Sequence, residues 1–267
     1  MTLFHAIVLG VLQGLAEFLP ISSSAHLALA PWLFGWPEPG LAFDVALHVG
    51  TLVAVLLYFR REWVTLARAG WHIVMTRRIE TPSERMVLFL VIGTIPGGIG
   101  GVLLQHAAET TFRTPALIAV ALMTLGFLLW LADRVVPERR PLGQLTWRDA
   151  LLIGVAQLFA LVPGVSRSGS TITAARALAI DREAAATFSF LLSMPIIAAA
   201  AVFEAPRALA APGMGAAVMA GVLAAAVSGW LAIHVLLRYV TRHSFGAFAL
   251  YRLVLGAVVL AVVAFRG

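Results

Sequence analysis

Long apolar stretches, separated by short polar segments, extend along almost the whole chain. Six of them come close to the roughly 20 residues that an α-helix needs to cross a bilayer. They cover residues 41–59, 86–104, 114–132, 184–202, 216–237 and 245–265. Ser189, Ser193 and Pro195 interrupt the fourth stretch, but none of these residues is charged. The pattern predicts an all-α polytopic membrane protein with six transmembrane helices.

Two other apolar segments, 5–30 and 149–178, differ from plain spans. Each carries a proline and several serines near its middle, and Glu17 or Arg167 lies where a span would be deepest. Irregular backbone and charge at that depth are tolerated only where protein buries them or where they line a wet cavity. We therefore predict two re-entrant helical hairpins that meet near the middle of the membrane.

The two hairpins are related in sequence. A shift of 144 positions aligns AIVLGVLQGLAEFLPISSS (6–24) with ALLIGVAQLFALVPGVSRS (150–168) without a gap, and seven of nineteen positions are identical. The identical residues of the first segment are Ala6, Gly10, Val11, Gln13, Ala16, Ser22 and Ser24. We predict a single membrane domain, 1–267, made of two repeats at about 5–132 and 149–265. Three spans in each repeat would insert the second one upside down, which is the inverted-repeat arrangement of many transporters.

Charged residues are few, and their positions predict the orientation. They make up 12% of the chain, mean hydropathy is +0.94, and all 19 basic residues are arginines. The net charge of +6 does not indicate nucleic-acid binding, because the arginines lie beside predicted spans instead of forming one patch. Those in the loops 60–85 and 134–148 place both loops in the cytoplasm by the positive-inside rule. The parts left outside are both termini and residues 31–40, 105–113 and 203–215, of which the last two carry only Arg113 and Arg207.

Two further observations limit the alternatives. The chain has no cysteine, which excludes disulfides, thiolate catalysis and Cys-ligated metals. A signal peptide in the first thirty residues is disfavoured, because no basic segment precedes the apolar stretch and Gln13 and Glu17 lie within it. We expect these residues to remain in the mature protein as part of the first hairpin.

The tip of the first hairpin combines several reactive groups. Glu17 comes shortly before Pro20, which is expected to end the entering helix. The returning helix is predicted to begin at Ser22 or Ser23, since serine is a good N-cap residue. His26 follows four and three positions later, so that either hydroxyl can approach the imidazole. A carboxylate, hydroxyls and an imidazole would then lie at one helix N-terminus.

The tip of the second hairpin has the composition of an anion site. Pro163 and Gly164 break the entering helix. Hydroxyls and a guanidinium come next, at the start of the returning helix, from Ser166, Arg167, Ser168 and Thr171. Free backbone N–H groups at a helix N-terminus bind anions, and arginine suits phosphate oxygens. Two such helix N-termini facing each other are predicted to hold a phosphate or diphosphate.

Simpler structural roles remain open for several of these residues. Hydroxyl side chains in membrane helices often hydrogen-bond to the backbone, which could explain, one at a time, Ser22, Ser24, Ser168 and Thr171. Glu17 and Arg167 could form a buried ion pair that holds the hairpins together, but this alone would leave His26 unexplained. Asp44 and His48 share a face of the next helix, near its outer end, where polar residues are commonly interfacial. A direct role for them is left open.

Both tips resemble motifs of the bacterial undecaprenyl-diphosphatase family, the bacitracin-resistance phosphatases. QGLAEFLPISSSAH (13–26) is similar to the family's (E/Q)xxxE segment with its serines and histidine. FDVALHVGTLVAV (43–55) is similar to the span that follows, and PGVSRSGST (163–171) to the family's PGxSRSxxT motif. Two unusual motifs in the right order make the resemblance specific, and it covers the whole chain.

The resemblance implies an enzyme with a lipid substrate. Such proteins hydrolyse undecaprenyl diphosphate to undecaprenyl phosphate and inorganic phosphate, which recycles the lipid carrier for peptidoglycan synthesis and confers bacitracin resistance. They depend on a divalent cation, Mg²⁺ or Ca²⁺. The implied location is the bacterial plasma membrane, with the active site open to the periplasmic or outer side. The lipid bilayer and the polyprenyl diphosphate are the expected partners, and a homodimer is left open.

The resemblance also implies roles for single residues. Glu17 and Gln13 match the pair that binds the metal and orients the phosphate. Ser23 matches the family's candidate nucleophile, and His26 matches the group that moves its proton, although the sequence leaves open which of the two attacks phosphorus. Arg167 matches the phosphate clamp. Further phosphate contacts are implied for Ser22, Ser166, Ser168 and Thr171.

Two rival functions share part of this pattern: a second type of lipid phosphatase and a lipid transporter. A second family of lipid phosphatases requires lysine in one motif and, in another, a histidine separated by five residues from a Ser-Arg pair. This chain has no lysine and has Thr173 at that position, which excludes the second family. A transporter or flippase for a phosphorylated lipid would also suit inverted hairpins. His26 and the serine cluster favour the enzyme, because a carrier needs an anion site but no nucleophile.

Overall fold

The computed structural model describes residues 1–109, 114–210 and 215–266, and in this part of the chain it is helical without strands. Its α-helices are α1 (Leu3–Phe18), α2 (Ser23–Phe34), α3 (Leu41–Tyr58), α4 (Arg60–Thr76), α5 (Pro82–Glu109), α6 (Pro115–Val135), α7 (Trp147–Phe159), α8 (Arg167–Ala177), α9 (Arg182–Ala210), α10 (Ala216–Val240) and α11 (Gly246–Arg266). Arg113 lies outside the described residues, as does the side chain of Arg207. The arginine pattern predicted for these two outer segments therefore stays a prediction.

Five of these helices are long and apolar enough to cross a membrane. They are Pro82–Leu104, Pro115–Val135, Arg182–Val202, Ala216–Val240 and Gly246–Arg266, and each overlaps one predicted span. The sixth predicted span, 41–59, corresponds to α3. It qualifies only together with α4, from which it is bent by 84°. The described chain thus has five candidate spans, or six if the bent pair counts as one.

α4 differs from the prediction, because the arginines of 60–85 alone indicate a loop, whereas Arg60–Thr76 is a helix. Leu66 and Ala69 are three positions apart and both are buried, so they form the inner face of an amphipathic helix. Trp71 and Val74 on other faces are exposed. The positive charges lie on a helix that carries its own apolar face, and charge counting does not reveal such a face.

The segments 5–30 and 149–178 each form two helices joined by a turn that contains the polar residues. α1 ends at Phe18, just before Pro20, and α2 begins directly after Ser22. α7 ends at Phe159, before the Pro163-Gly164 pair, and α8 begins directly after Ser166. The predicted helix breaks and helix starts are confirmed at both tips.

Helix contacts run between the two halves of the chain. α1 packs mainly against α10, and α7 packs mainly against α5. Both crossings depend on glycine: a Cβ atom at Gly10 would lie 2.3 Å from the carbonyl oxygen of Gly221, and one at Gly154 would lie 2.4 Å from that of Gly93. Gly10 and Gly154 are aligned by the 144-residue shift. The entering helix of each hairpin is therefore held against a helix of the other half, which fixes both tips in the interior.

Candidate active site

The two turns have closely similar geometry. Ser22 and Ser166 both have positive φ angles, +79° and +75°, which non-glycine residues rarely adopt. The hydroxyl of each accepts a hydrogen bond from the backbone N–H three residues later, at 3.4 Å for Ser22 and 3.1 Å for Ser166. A second hydroxyl, on Ser24 or Ser168, lies 3.3 or 3.2 Å from the first. Backbone strain of this kind concentrates at functional sites.

Arg252 of α11 joins the two turns. Its side chain is fully buried and donates to four carbonyl oxygens. One belongs to Pro20 in the first turn, at 3.0 Å, and two belong to Gly164 and Val165 in the second turn, at 2.8 and 3.0 Å. No carboxylate of the described residues forms a salt bridge with it. Arg252 therefore brings an unneutralised positive charge to the junction of the tips.

Glu17 is the centre of the predicted site. Its carboxylate is 6% exposed, and Oε1 accepts a hydrogen bond of 3.1 Å from Nη2 of Arg167 on the other tip. Oε2 accepts a hydrogen bond of 2.6 Å from the hydroxyl of Ser23. A reactive hydroxyl, a carboxylate and a guanidinium from both tips are thus in direct contact.

Gln13 extends this cluster. Its Nε2 donates to Oε2 of Glu17 at 3.2 Å, while its Oε1 is buried and has no hydrogen-bond partner. An orphaned amide oxygen beside a carboxylate matches the oxygen ligands that Mg²⁺ and Ca²⁺ prefer. No group of three or more His, Cys, Asp or Glu residues suited to a metal occurs in the described residues. Gln13 and Glu17 therefore fit a cation that completes its coordination with water and substrate oxygens, as Mg²⁺ commonly does.

Further hydrogen bonds within the protein hold Arg167 and the hydroxyl residues near the tips in place. Nη1 of Arg167 donates to the carbonyl oxygen of Ser189 at 3.1 Å, and its Nε is left without a partner. Thr171 is fully buried and its hydroxyl lies 2.7 Å from that of Ser189, so it supports Arg167 from behind. Ser168 is also fully buried and donates to the carbonyl oxygen of Leu19 at 3.2 Å. Ser22 is likewise fully buried at its own turn.

His26 does not contact either serine hydroxyl, contrary to the approach expected from the spacing. Its Nδ1 lies 2.6 Å from the carbonyl oxygen of Ser22, and its Nε2 lies 2.7 Å from the hydroxyl of Tyr251 on α11. His26 and Ser22, four positions apart, do meet on the helix as their spacing predicts. However, the imidazole contacts the backbone of Ser22 and turns its other nitrogen toward a partner 225 residues away.

His48, whose role the sequence left open, faces the cluster. Its Nε2 lies 3.7 Å from Oε2 of Glu17, and its Nδ1 lies 2.7 Å from the carbonyl oxygen of Asp44. His48 and Ser23 line the same cavity. The four-residue spacing of Asp44 and His48 was visible in the sequence, but the contact with Glu17 depends on how α3 packs beside the first hairpin.

Only some of these residues line a common cavity, whose volume is about 210 Å³ and whose lining does not include Gln13, His26 or Arg252. Its polar lining comes from Glu17, Ser23, Ser24, His48, Ser166 and Arg167. Apolar residues of α9, Ile196, Ile197 and Ala200, complete it. Ser24 and His48 also line an adjoining cavity of about 340 Å³, where most of the other lining residues are apolar. An anionic group can occupy the first cavity while an attached apolar chain extends along the apolar walls of the adjoining cavity.

The arrangement is suited to transfer of a phosphoryl group. That reaction requires mainly positioning and neutralisation of charge on the phosphate oxygens. The single negative charge of Glu17 is accompanied by two positive guanidiniums, those of Arg167 and Arg252. The N-termini of α2 and α8 add the positive ends of two helix dipoles. Ser23 supplies a hydroxyl at the edge of this positive region.

Comparisons with known proteins agree with this chemistry. The chain matches the family described as "Bacitracin resistance protein BacA" over residues 6–258. It is 58% identical over 266 residues to the "Undecaprenyl-diphosphatase" of Gemmatimonas aurantiaca, with 100% of both chains covered. It is 48% identical over 266 residues to the protein of the same name from Pelotomaculum thermopropionicum, covering 100% of this chain and 98% of the relative. The similarly named protein of Desulforudis audaxviator is 48% identical over 265 residues, with 99% of each chain covered.

Proposed function

Because the chain belongs to the bacitracin resistance protein BacA family, we propose that it is an undecaprenyl-diphosphatase of the bacterial plasma membrane. It hydrolyses undecaprenyl diphosphate to undecaprenyl phosphate and inorganic phosphate. This recycles the lipid carrier for peptidoglycan synthesis and confers resistance to bacitracin. The observation that carries the proposal is the contact of Ser23 and Arg167 with the two oxygens of one buried carboxylate, Glu17.

In the first step, the oxygen of Ser23 attacks the terminal phosphorus. The bond from phosphorus to the bridging oxygen breaks, and undecaprenyl phosphate leaves. The hydrogen of the Ser23 hydroxyl already points to Oε2 of Glu17, so that carboxylate takes the proton. Arg167 and the N-termini of α2 and α8 stabilise the charge on the equatorial oxygens.

In the second step, water hydrolyses the phosphoserine. The water oxygen bonds to phosphorus, the bond from phosphorus to Oγ of Ser23 breaks, and Oγ recovers its proton from Glu17. His26 receives the proton of the water at Nε2, since Nδ1 already donates to a carbonyl oxygen, and releases it to solvent as inorganic phosphate leaves, which restores the neutral imidazole. This division of roles differs from direct pairing of His26 with Ser23, and the Ser22 and Tyr251 contacts of His26 support it.

Gln13 and Glu17 are proposed to hold a divalent cation, Mg²⁺ or Ca²⁺. The orphaned Oε1 of Gln13 is the observation that supports the site. A cation bound there would neutralise charge on the phosphate oxygens. The protein's own part is to keep the amide of Gln13 beside the carboxylate, which the hydrogen bond from Nε2 to Glu17 achieves.

The segments 5–30 and 149–178 are proposed to be re-entrant hairpins of an inverted repeat, with the site open to the outer face. The matching turns at Ser22 and Ser166 and the matching helix crossings at Gly10 and Gly154 support this architecture. The lack of cysteine makes a direct test simple, because single cysteines can be introduced and labelled in intact cells. A membrane-impermeant maleimide should label Glu38→Cys, and it should label Arg78→Cys and Arg139→Cys only after permeabilisation. Labelling of Arg78→Cys in intact cells would contradict the orientation.

The activity is tested on purified protein in detergent with undecaprenyl diphosphate and Mg²⁺ or Ca²⁺, by following inorganic phosphate. We expect phosphate release that stops on chelation and is lost in Glu17→Ala. The matched control is Glu62→Ala, since Glu62 is an exposed carboxylate in the first turn of α4 and lines neither cavity of the site. If the native protein binds the lipid but releases no phosphate, the enzyme proposal is wrong and a lipid carrier is favoured.

A further inference from the structure

The imidazole of His26 is held at both nitrogens, and this determines its tautomer. Nδ1 lies 2.6 Å from the carbonyl oxygen of Ser22, and Nε2 lies 2.7 Å from the hydroxyl oxygen of Tyr251. A carbonyl oxygen has no hydrogen to donate, so Nδ1 carries the hydrogen of the first bond. A neutral imidazole has a single N–H, and therefore Nε2 accepts the hydrogen of the Tyr251 hydroxyl.

Tyr251 is well placed to keep this contact. Its ring lies almost parallel to that of His26, at an interplanar angle of 7° and a centroid distance of 5.7 Å. The next residue on α11, Arg252, is anchored to both turns by its hydrogen bonds to carbonyl oxygens. His26 is only 7% exposed, whereas Tyr251 is 43% exposed. The buried Nε2 of His26 is therefore in contact with a residue that is itself much more accessible.

We propose that Tyr251 is a positioning residue for His26, through which the imidazole receives its proton. The proposal rests on the proposed function, because it assigns a route to the proton that His26 accepts there. Tyr251 passes its hydroxyl hydrogen to Nε2 while its oxygen accepts a hydrogen from water, so the tyrosine is neutral before and after the step. The new Nε2–H then donates to the same oxygen. His26 and Tyr251 stay in contact in both protonation states, and no side chain has to move.

Removal of the hydroxyl alone tests the proposal. Tyr251→Phe keeps the stacked ring and removes the donor to Nε2. We expect kcat to fall about tenfold with KM within about twofold, since the hydroxyl acts on His26 and not on substrate binding. The matched control is Tyr239→Phe. Tyr239 also stacks on a histidine, His243, at 4.5 Å and 15°, and its hydroxyl has no hydrogen bond in the described part of the chain.

A second measurement reports on His26 itself and needs no active enzyme. In protein with ¹⁵N-labelled histidine, the wild-type His26 signals should show a protonated Nδ1 and a hydrogen-bonded, unprotonated Nε2. His26→Gln identifies these signals by their loss. In Tyr251→Phe the Nε2 signal should move toward that of an unbonded imine nitrogen or divide between tautomers, while Tyr239→Phe should match the wild type.

The outcomes separate this proposal from the proposed function. If the wild type and Tyr239→Phe release no phosphate, the proposed function fails on its own. If both are active and Tyr251→Phe equals them in kcat, Tyr251 has no positioning role. Unchanged His26 signals in Tyr251→Phe would overturn the assignment of the tautomer to this hydroxyl. A rise in KM alone would contradict the positioning role of Tyr251, because that pattern belongs to a residue that only binds substrate.

Discussion

Nη2 of Arg167 lies 3.1 Å from Oε1 of Glu17, although the two residues are 150 positions apart in the chain. Each comes from a different hairpin tip. An ion pair that only held the tips together would leave the other carboxylate oxygen without a task. That oxygen accepts the hydrogen of Ser23, so the same carboxylate contacts both the guanidinium proposed to bind phosphate and the hydroxyl proposed to attack it. The ion pair between Glu17 and Arg167 is therefore present, and it is compatible with the catalytic role proposed for Glu17.

Arg167→Ala should lower kcat/KM by roughly 10²- to 10³-fold, because a charged donor to the phosphate oxygens is lost. Arg167→Lys should recover part of the rate, since lysine keeps the charge but not the two-pronged geometry. Phosphate release at several substrate concentrations measures both. Arg148→Ala is the control, because Arg148 is exposed and stacks on Trp147. A rate for Arg167→Ala close to that of the control would remove Arg167 from the site.

Ser23→Ala should lower kcat by roughly 10³-fold or more, because the proposed nucleophile is absent. The neighbouring Ser24 lines the same cavity, so Ser24→Ala is a close control and should stay within a few-fold of the wild type. Rapid acid quenching of the wild type should trap phosphate in an acid-stable, base-labile serine ester. An acid-labile adduct that disappears in His26→Gln would instead identify the histidine as the nucleophile.

Gln13→Glu should strengthen cation binding at the tip. A second carboxylate beside Glu17 adds a charged oxygen ligand where the amide oxygen now has no partner. We expect the Ca²⁺ or Mg²⁺ concentration for half-saturation to fall about tenfold, by calorimetric titration without substrate and by the cation dependence of phosphate release. Gln144→Glu adds a carboxylate at an exposed position and should leave both measurements unchanged. Equal affinity in Gln13→Glu and Gln13→Ala would mean that this side chain is not a ligand.

Local chemistry made much of the fold and of the site predictable. Pro20 and the Pro163-Gly164 pair follow the ends of the entering helices, and serine caps the helices that follow, so both tips could be predicted from the sequence. Contacts between distant elements did not follow. The orientation of His26 depends on Tyr251, which is 225 residues away, and no spacing rule reaches that far.

Arg252 is a different case, because a signal for it was present. It lies inside the predicted span 245–265, and a charge within a span is itself an indication of function. The positive-inside rule uses only the arginines of the loops and therefore gives Arg252 no role. The sequence could have identified it as a residue of interest, but its partners are backbone carbonyl oxygens of two turns, and these have no signature in the sequence.

Arg252→Met should destabilise the protein and separate the tips. Methionine fills much of the buried volume but leaves four carbonyl oxygens without their donor, at a cost of about 3 kcal/mol or more. For a protein of this size, that corresponds to a decrease of roughly 6–12 °C in the thermal unfolding midpoint in detergent. Phosphate release at a permissive temperature should fall as well, because the two halves of the phosphate site lose their common anchor.

Arg266→Met is the matched control for that measurement. Arg266 lies on the same helix and also donates to two carbonyl oxygens, those of Trp32 and Leu33, but it is exposed. Water can replace its hydrogen bonds, so the midpoint should change by about 1 °C or less. Similar midpoints for the two variants would show that burial of Arg252 contributes little, and the tips would then have to be held mainly by the Glu17–Arg167 pair.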